Sequence, residues 1–126
     1  HCDYNPSFNG TAPEPLPRNL PELEALVKNS SDIDAGLATD GDADRIGMYD
    51  EKGKFVDAHH LLLLFIHYLY KYKNFRGKVV VAFSVSPKIK KLCNAYGIEC
   101  EITKIGFKYI SEIMVSDDVL VGGEES

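Results

Sequence analysis

One short segment of the chain combines side chains and a spacing that suit a metal ion. It contains three carboxylates at alternate positions, separated by small residues and followed by an arginine: Asp40, Gly41, Asp42, Ala43, Asp44 and Arg45. Carboxylates held this close together repel one another, and a hard divalent cation that prefers oxygen ligands removes that repulsion. The segment therefore predicts a metal site whose ligands are the three Asp side chains.

Two other interpretations fit part of this pattern. Surface turns are often rich in Asp and Gly, but they rarely need three Asp residues in strict alternation followed by Arg. A calcium loop of the EF-hand kind would use the three Asp residues at its first, third and fifth positions and Glu51 at its twelfth. Its sixth position requires Gly, which is Arg45 here, and its flanks should be helices. The flanks of this segment have the pattern of strands, so we set the EF-hand aside.

Short apolar segments lie on both sides of the acidic segment. Residues 35–38 precede it, and residues 46–49 follow it and end at residues 50–53, whose sequence is typical of a hairpin turn. We therefore predict that the carboxylates lie on a tight loop between two strands. Gly41 is expected to let the backbone turn, and the small side chain of Ala43 leaves room for a ligand.

The acidic segment resembles the metal-binding loop of the α-D-phosphohexomutases, the family of phosphoglucomutases and phosphomannomutases. Further stretches follow the order of that family: Pro13 to Leu16 with Asn19-Leu20, then Thr103 to Lys108, then Gly123 to Ser126. Together they extend over nearly the whole chain. The resemblance implies an isomerase that interconverts hexose 1-phosphate and hexose 6-phosphate. It would use Mg²⁺, a phosphoserine and a bisphosphorylated sugar intermediate.

The resemblance also implies roles for individual side chains. Mg²⁺ would be bound by Asp40, Asp42 and Asp44. The planar guanidinium of Arg45 can contact two phosphoryl oxygens at once. Pairing of Arg45 with the carboxylates of its own loop is equally compatible with the sequence, and the resemblance favours a contact with the phosphoserine or the substrate.

Two later segments carry the other candidate site residues. Lys108 lies near the start of a predicted helix, where the helix dipole disfavours a cation. The resemblance implies that it is a catalytic residue which assists proton transfer or binds the phosphoryl group. Glu124 and Ser126 match the sugar-recognition loop of the family and are the implied substrate-binding residues.

The remainder of the chain predicts helices that alternate with strands. We expect helices at about residues 21–27, 58–73, 87–96 and 106–116, and further strands at residues 79–83, 98–102 and 119–121. This alternation predicts an α/β fold, a three-layer α/β/α sandwich with a mixed, mostly parallel sheet. His59, His60 and His67 fall on the second helix, and we interpret them as helix-edge histidines rather than as a metal cluster.

The family resemblance suggests a division of the chain into three parts. Residues 1–19 would link to a missing N-terminal domain, residues 20–117 would form the metal-binding α/β domain, and residues 118–126 would begin the next domain. The phosphoserine would lie in a missing domain of the same enzyme, so the 126-residue fragment is expected to be inactive. The alternatives are a stand-alone divalent-metal binding module and, with a poorer fit, a hydrolase with an Asp nucleophile.

Composition limits the partners. A formal net charge of −5 argues against nucleic acid, and the most apolar run, residues 61–66, is far too short to span a membrane. The three cysteines are odd in number and lack the close paired spacing of a zinc site. They indicate reduced thiols, and hence a cytoplasmic protein. The expected partners are a phosphorylated hexose and the missing domains.

Overall fold

The structure, a computed structural model, describes residues 3–125. The chain divides into two compact units, the first ending at Asp57 and the second beginning at Ala58. The domain boundaries expected from the sequence, after residues 19 and 117, differ from this division. An apolar pattern identifies helices and strands, but it does not say which strands pair, and the pairing of the strands separates the two units.

The first unit contains a three-stranded antiparallel sheet in the order β1-β2-β3. A helix precedes the sheet, and two 3₁₀ turns precede the helix. The bounds are Phe8–Gly10 and Pro17–Asn19 for the turns, Pro21–Lys28 for α1, Ala35–Thr39 for β1, Ile46–Asp50 for β2 and Phe55–Val56 for β3. The helix and the first two strands agree with the sequence prediction. Two residues are too few to display an alternating pattern, so β3 was not predicted.

Helix α1 forms because its ends have suitable residues and one face is apolar. Pro21 occupies the first turn, where its missing N–H costs nothing, and Lys28 lies in the last turn, where a cation complements the helix dipole. Val27 on this helix is fully buried. A β-carbon added at Gly36 of β1 would lie 2.8 Å from Val27 Cγ2. The helix therefore packs directly on the backbone of β1.

The β1–β2 hairpin carries the acidic segment. Its register pairs Ala35 with Asp50 and Thr39 with Ile46, so residues 40–45 form the connecting loop. The prediction of a loop between two strands is confirmed. At the next turn, Asp50 Oδ1 accepts hydrogen bonds from the backbone N–H groups of Lys52 and Lys54. Because these hydrogen bonds join residues that are close in sequence, the turn could be predicted from the sequence.

Tyr49 of β2 provides a test of the packing in this unit. Its side chain is 1% exposed and packs edge-on against Phe55, yet its hydroxyl has no hydrogen-bond partner among the described residues. Because that hydroxyl is already desolvated, Tyr49→Phe should leave the free energy of unfolding within about 0.5 kcal/mol of wild type or raise it. Tyr49→Ala should cost about 3 kcal/mol or more. Urea denaturation checks both, and a clear loss of stability in Tyr49→Phe would contradict this packing.

The second unit contains a three-stranded parallel sheet with β4 at its centre, in the order β5-β4-β6. Its helices alternate with its strands, and a single π-helical turn, Tyr68–Tyr72, continues the first helix. The bounds are Ala58–His67 for α2, Lys78–Ala82 for β4, Pro87–Tyr96 for α3, Cys100–Thr103 for β5, Phe107–Ser116 for α4 and Val119–Gly123 for β6. The predicted α/β class is confirmed, with antiparallel strands in one unit and parallel strands in the other.

Two adjacent glycines of β6 reveal the layers of this unit. A β-carbon at Gly122 would meet Ile110 Cγ2 of α4 at 2.7 Å, and one at Gly123 would meet the side chain of Leu62 on α2. Neighbouring residues of a strand point to opposite faces of a sheet. Helices α2 and α4 therefore cover opposite faces, which gives an α/β/α arrangement. The main cluster of buried apolar residues in this unit consists of Leu62, Ile66, Val79, Val81, Ile89, Cys93, Ile98, Leu120 and Val121.

Capping and charge pairs support the second unit. Ser86 Oγ accepts a hydrogen bond from the backbone N–H of Lys88 at 3.3 Å, and Gly97 ends α3 in a left-handed conformation. Lys78 contacts Asp117 and Glu101, and these hydrogen bonds raise its pKa. Burial raises the pKa of the Cys93 thiol to about 12, consistent with a core thiol. Within residues 3–125 no helix has the length and apolar character needed to cross a membrane.

Candidate functional site

The acidic loop of the first unit brings three carboxylates together. Asp40, Asp42 and Asp44 each offer an oxygen, and these three oxygens lie within 4.8 Å of one another. Asp40 is buried, whereas Asp42 and Asp44 are exposed. In the described part of the chain, no other group of three or more His, Cys, Asp or Glu residues has this geometry. The spacing in the sequence thus corresponds to convergence in space.

Hydrogen bonds across its base close the loop. The backbone N–H of Asp40 donates to Arg45 O at 3.3 Å, and the N–H of Ala43 donates to Asp40 O at 3.3 Å. Ala43 adopts a left-handed conformation with φ of +61°, whereas Gly41 has no positive φ. Gly41 nevertheless lies at a central position of the turn that the bond from Ala43 to Asp40 closes, as expected from the sequence. The left-handed residue of the loop is Ala43, whose small side chain keeps the cost of that conformation modest.

Arg45 is held by the loop that it ends. Its Nε lies 2.7 Å from Asp40 Oδ2 and 3.9 Å from Asp44 Oδ1, and its backbone N–H donates to Asp40 Oδ1 at 3.1 Å. This geometry is the loop-internal pairing, one of the two interpretations left open by the sequence. The Arg45 side chain is still 40% exposed. A contact from Arg45 to a phosphoserine or a substrate stays a prediction.

The carboxylates of the loop differ in their protonation behaviour. The side-chain hydrogen bond from Arg45 holds the pKa of Asp40 well below its usual range. A side-chain hydrogen bond with Asp40, together with partial desolvation and the charge of Asp42, raises the pKa of Asp44. Three converging carboxylate oxygens on a surface loop are the donor set that Mg²⁺ prefers, and the two exposed ones leave space for further ligands. The residues present therefore fit a hard divalent cation.

A second group of candidate residues lies at the carboxyl edge of the parallel sheet. The loops after β5 and β6 meet there, because Glu124 Oε2 accepts a hydrogen bond from the backbone N–H of Gly106 at 2.8 Å. Gly106 is the residue that caps α4. Lys108, in the first turn of α4, is exposed, and its Nζ lies 4.8 Å from the ring centroid of Tyr109. Lys108 and Glu124 thus lie on segments that are joined directly. Ser126 lies outside the described residues.

The sequence did not predict the contacts of His59 with Ser86 and Glu125. Its Nδ1 accepts a hydrogen bond from the backbone N–H of Ser86 at 3.1 Å, and its Nε2 lies 2.9 Å from Glu125 Oε2. The sequence interpretation placed His59 at a helix edge without a specific contact. Its partners are far away along the chain, so no local spacing could have indicated them.

Comparison with known families assigns both parts of the chain. The family described as phosphoglucomutase/phosphomannomutase, alpha/beta/alpha domain III, matches residues 57–126, and the corresponding domain II matches residues 1–53. The chain belongs to the phosphoglucomutase/phosphomannomutase family. The acidic loop lies in the segment that matches domain II. Lys108 and Glu124 lie in the segment that matches domain III.

Individual relatives agree with this assignment. The chain is 33% identical to a phosphoglucosamine mutase from Clostridium botulinum over 98% of its own length, and 36% identical to one from Methanococcus maripaludis over 100%. It spans only 26% and 28% of these two proteins. A crystal structure from Thermus thermophilus, assigned as a phosphomannomutase, superimposes with a TM-score of 0.85 at 35% identity, covering 97% of this chain and 28% of that one. The chain therefore corresponds to about a quarter of a typical relative.

Proposed function

We propose that the chain is the part of a phosphohexomutase that carries its metal loop and the start of its sugar-recognition segment. The enzyme would interconvert hexose 1-phosphate and hexose 6-phosphate through a bisphosphorylated sugar. The observation that carries the proposal is the convergence of three carboxylate oxygens within 4.8 Å on the loop of residues 40–45. Membership of the family supports it, and so do the relatives described as phosphoglucosamine mutases.

The acidic loop would serve phosphoryl transfer through charge. Asp40, Asp42 and Asp44 would hold Mg²⁺, which when bound neutralises negative charge on the transferring phosphoryl group. Arg45, whose Nε is 2.7 Å from Asp40 Oδ2, keeps the buried carboxylate ionised and oriented. The exposed part of its guanidinium can also donate to a phosphoryl oxygen. A guanidinium suits the two functions together better than an ammonium group, because its planar fork can donate to two partners at once.

The second group of residues would act on the sugar. One oxygen of Glu124 accepts from Gly106 N–H, and the carboxylate can use its second oxygen to accept from a sugar hydroxyl. The ammonium of Lys108 can donate to a phosphoryl oxygen or take part in proton transfer at the reacting hydroxyl. Ser126 is proposed as a further sugar ligand, as in the motif that it resembles.

The phosphoserine would come from another part of the enzyme. Ser86 Oγ caps helix α3, and Ser116 Oγ donates to carbonyl oxygens of its own helix, so both hydroxyls have local structural partners. We therefore propose that the 126-residue chain alone has no mutase activity. Its natural setting is proposed to be a longer enzyme in the cytoplasm.

Mg²⁺ titration in the presence of a phosphoserine peptide tests this function. Calorimetry on the 126-residue chain should give weak Mg²⁺ binding that strengthens about tenfold when the phosphopeptide supplies a further oxygen ligand. The same peptide without the phosphate is the control and should have no effect. Tight binding that is indifferent to the phosphopeptide would instead support a metal-binding module without catalysis. Absence of binding in all conditions would contradict both.

A further inference from the structure

We propose that His59 is a positioning residue that holds the segment Glu124-Glu125 in place for sugar recognition, a role that rests on the function proposed above for Glu124. His59 lies in the first turn of α2. Its ring lies between the backbone of Ser86, at the start of α3, and the carboxylate of Glu125, after the end of β6. One side chain thus joins three elements at the carboxyl edge of the sheet.

The two contacts define the state of the imidazole. Nδ1 accepts from the N–H of Ser86 at 3.1 Å, so it carries no proton in this arrangement. Nε2 then carries the proton and donates to Glu125 Oε2 at 2.9 Å. The imidazole therefore uses both nitrogens in opposite senses, as acceptor and donor. A side chain with only one of these functions could make only one of the contacts.

The position of the segment explains why it needs such a contact. Pairing of β6 with β4 ends at Gly123, so the strand ladder does not hold residues 124 and 125. Among the described residues, the polar contacts of this pair are Gly106 N–H to Glu124 Oε2 at 2.8 Å, Ser84 Oγ to Glu125 O at 3.4 Å, and His59 to the Glu125 carboxylate. Of these three contacts, that of His59 comes from a residue within a helix, α2, whose other face is buried.

Helix α2, which carries His59, is itself held in place by packing against β6. Leu62, one turn after His59, is 8% exposed and packs against Gly123. The side chains of His59 and Glu125 are 24% and 46% exposed, so solvent screens their contact in part and the hydrogen-bond geometry matters more than the charge. Because Glu124 is bonded to Gly106 and Glu125 to His59, the two neighbouring residues are held by different elements. Loss of His59 should therefore loosen Glu124 as well, although His59 does not touch it.

Hydrogen exchange on the 126-residue chain tests the positioning directly. In His59→Ala the amide of Gly106, which His59 does not contact, should exchange about tenfold faster than in wild type. The amide of Val80, in the buried central strand, should keep its exchange rate and so exclude general unfolding. Unchanged exchange at Gly106 in His59→Ala would overturn the proposal.

Two conservative variants separate the contacts of His59. Gln can place an amide N–H near the position of Nε2, so His59→Gln should keep Gly106 protected by preserving the bond to Glu125. Asn can place an acceptor near Nδ1, so His59→Asn should protect Ser86 but not Gly106. Glu125→Ala should match His59→Ala, and the double variant should add nothing to either. Additive effects would show that His59 does not act through Glu125.

A ligand titration tests whether the positioning of the segment by His59 affects sugar binding. Glucose 1-phosphate and inorganic phosphate are titrated separately while amide shifts are followed in wild type and in His59→Ala. Affinity for the sugar phosphate should fall about fivefold or more in the variant, with rescue by His59→Gln, while affinity for phosphate stays constant. If wild type binds no sugar phosphate while the exchange results hold, the function proposed for the segment fails and the positioning stands. An equal loss of affinity for both ligands in His59→Ala would contradict a role in sugar recognition.

Discussion

Replacing Asp42 with Asn should reduce the affinity of the chain for Mg²⁺ by about tenfold or more, equivalent to about 1.4 kcal/mol. Asn keeps a carbonyl oxygen at this position but removes the negative charge, and charge is the main source of attraction for a hard cation. Asp42 is the best position for the test because it is exposed and the hydrogen bonds that close the loop are made by other residues. Asp40, in contrast, also binds Arg45.

Asp34→Asn is the matched control for this variant. It removes the same charge from the first unit, outside the acidic loop, and it should leave the affinity for Mg²⁺ nearly unchanged. Calorimetric titration at constant ionic strength gives both values. Equal affinities for wild type and Asp42→Asn, or equal losses in the two variants, would mean that the loop attracts cations only through its general charge.

Gly77→Ala should lower the free energy of unfolding by about 3 kcal/mol. Gly77 has φ of +138°, a conformation that side chains disfavour. A β-carbon there would lie 2.7 Å from Leu120 N and 2.8 Å from Asp118 O. These are backbone atoms at the start of β6, and Asp118 O also accepts from Lys78 N–H at 2.9 Å. The clash cannot be relieved without disturbing the pairing of β4 with β6.

Gly97→Ala is the control for the backbone conformation alone. Gly97 also has a positive φ, +67°, but a β-carbon there would meet no heavy atom within 4 Å. The variant should therefore cost only about 1 kcal/mol, the penalty for a left-handed residue. Urea denaturation of the two variants measures the difference. Similar losses in both would indicate that the contact of Gly77 with β6 is unimportant.

Local signals made much of the fold predictable. Ser86 with Pro87 marks the start of a helix, Gly97 marks its end, and residues 50–53 mark a hairpin, because each acts on neighbouring backbone groups. The division into two units was not predictable in this way. It depends on which strands pair with one another. In the second unit β4 lies between β5 and β6 in the sheet, and β4 and β6 are far apart in sequence.

The candidate site likewise contains one part that local sequence indicates and another part that depends on the tertiary fold. Asp40, Asp42 and Asp44 are two residues apart, so the sequence itself indicated their convergence, and the structure brings their oxygens within 4.8 Å. The bond between Glu124 and Gly106 and the two contacts of His59 depend on the tertiary fold. Motif resemblance indicated Glu124, but it did not indicate the side chain that holds its neighbour.

Binding of Mn²⁺, followed by NMR, tests the central claim most directly, because this paramagnetic ion broadens the signals of nearby amides. The account predicts that substoichiometric Mn²⁺ broadens the amides of residues 40–45 first, that excess Mg²⁺ restores them, and that Asp42→Asn weakens the effect. Broadening centred on another acidic region, such as Glu51 or Asp117, and unchanged by Asp42→Asn, would contradict a metal site at the acidic loop.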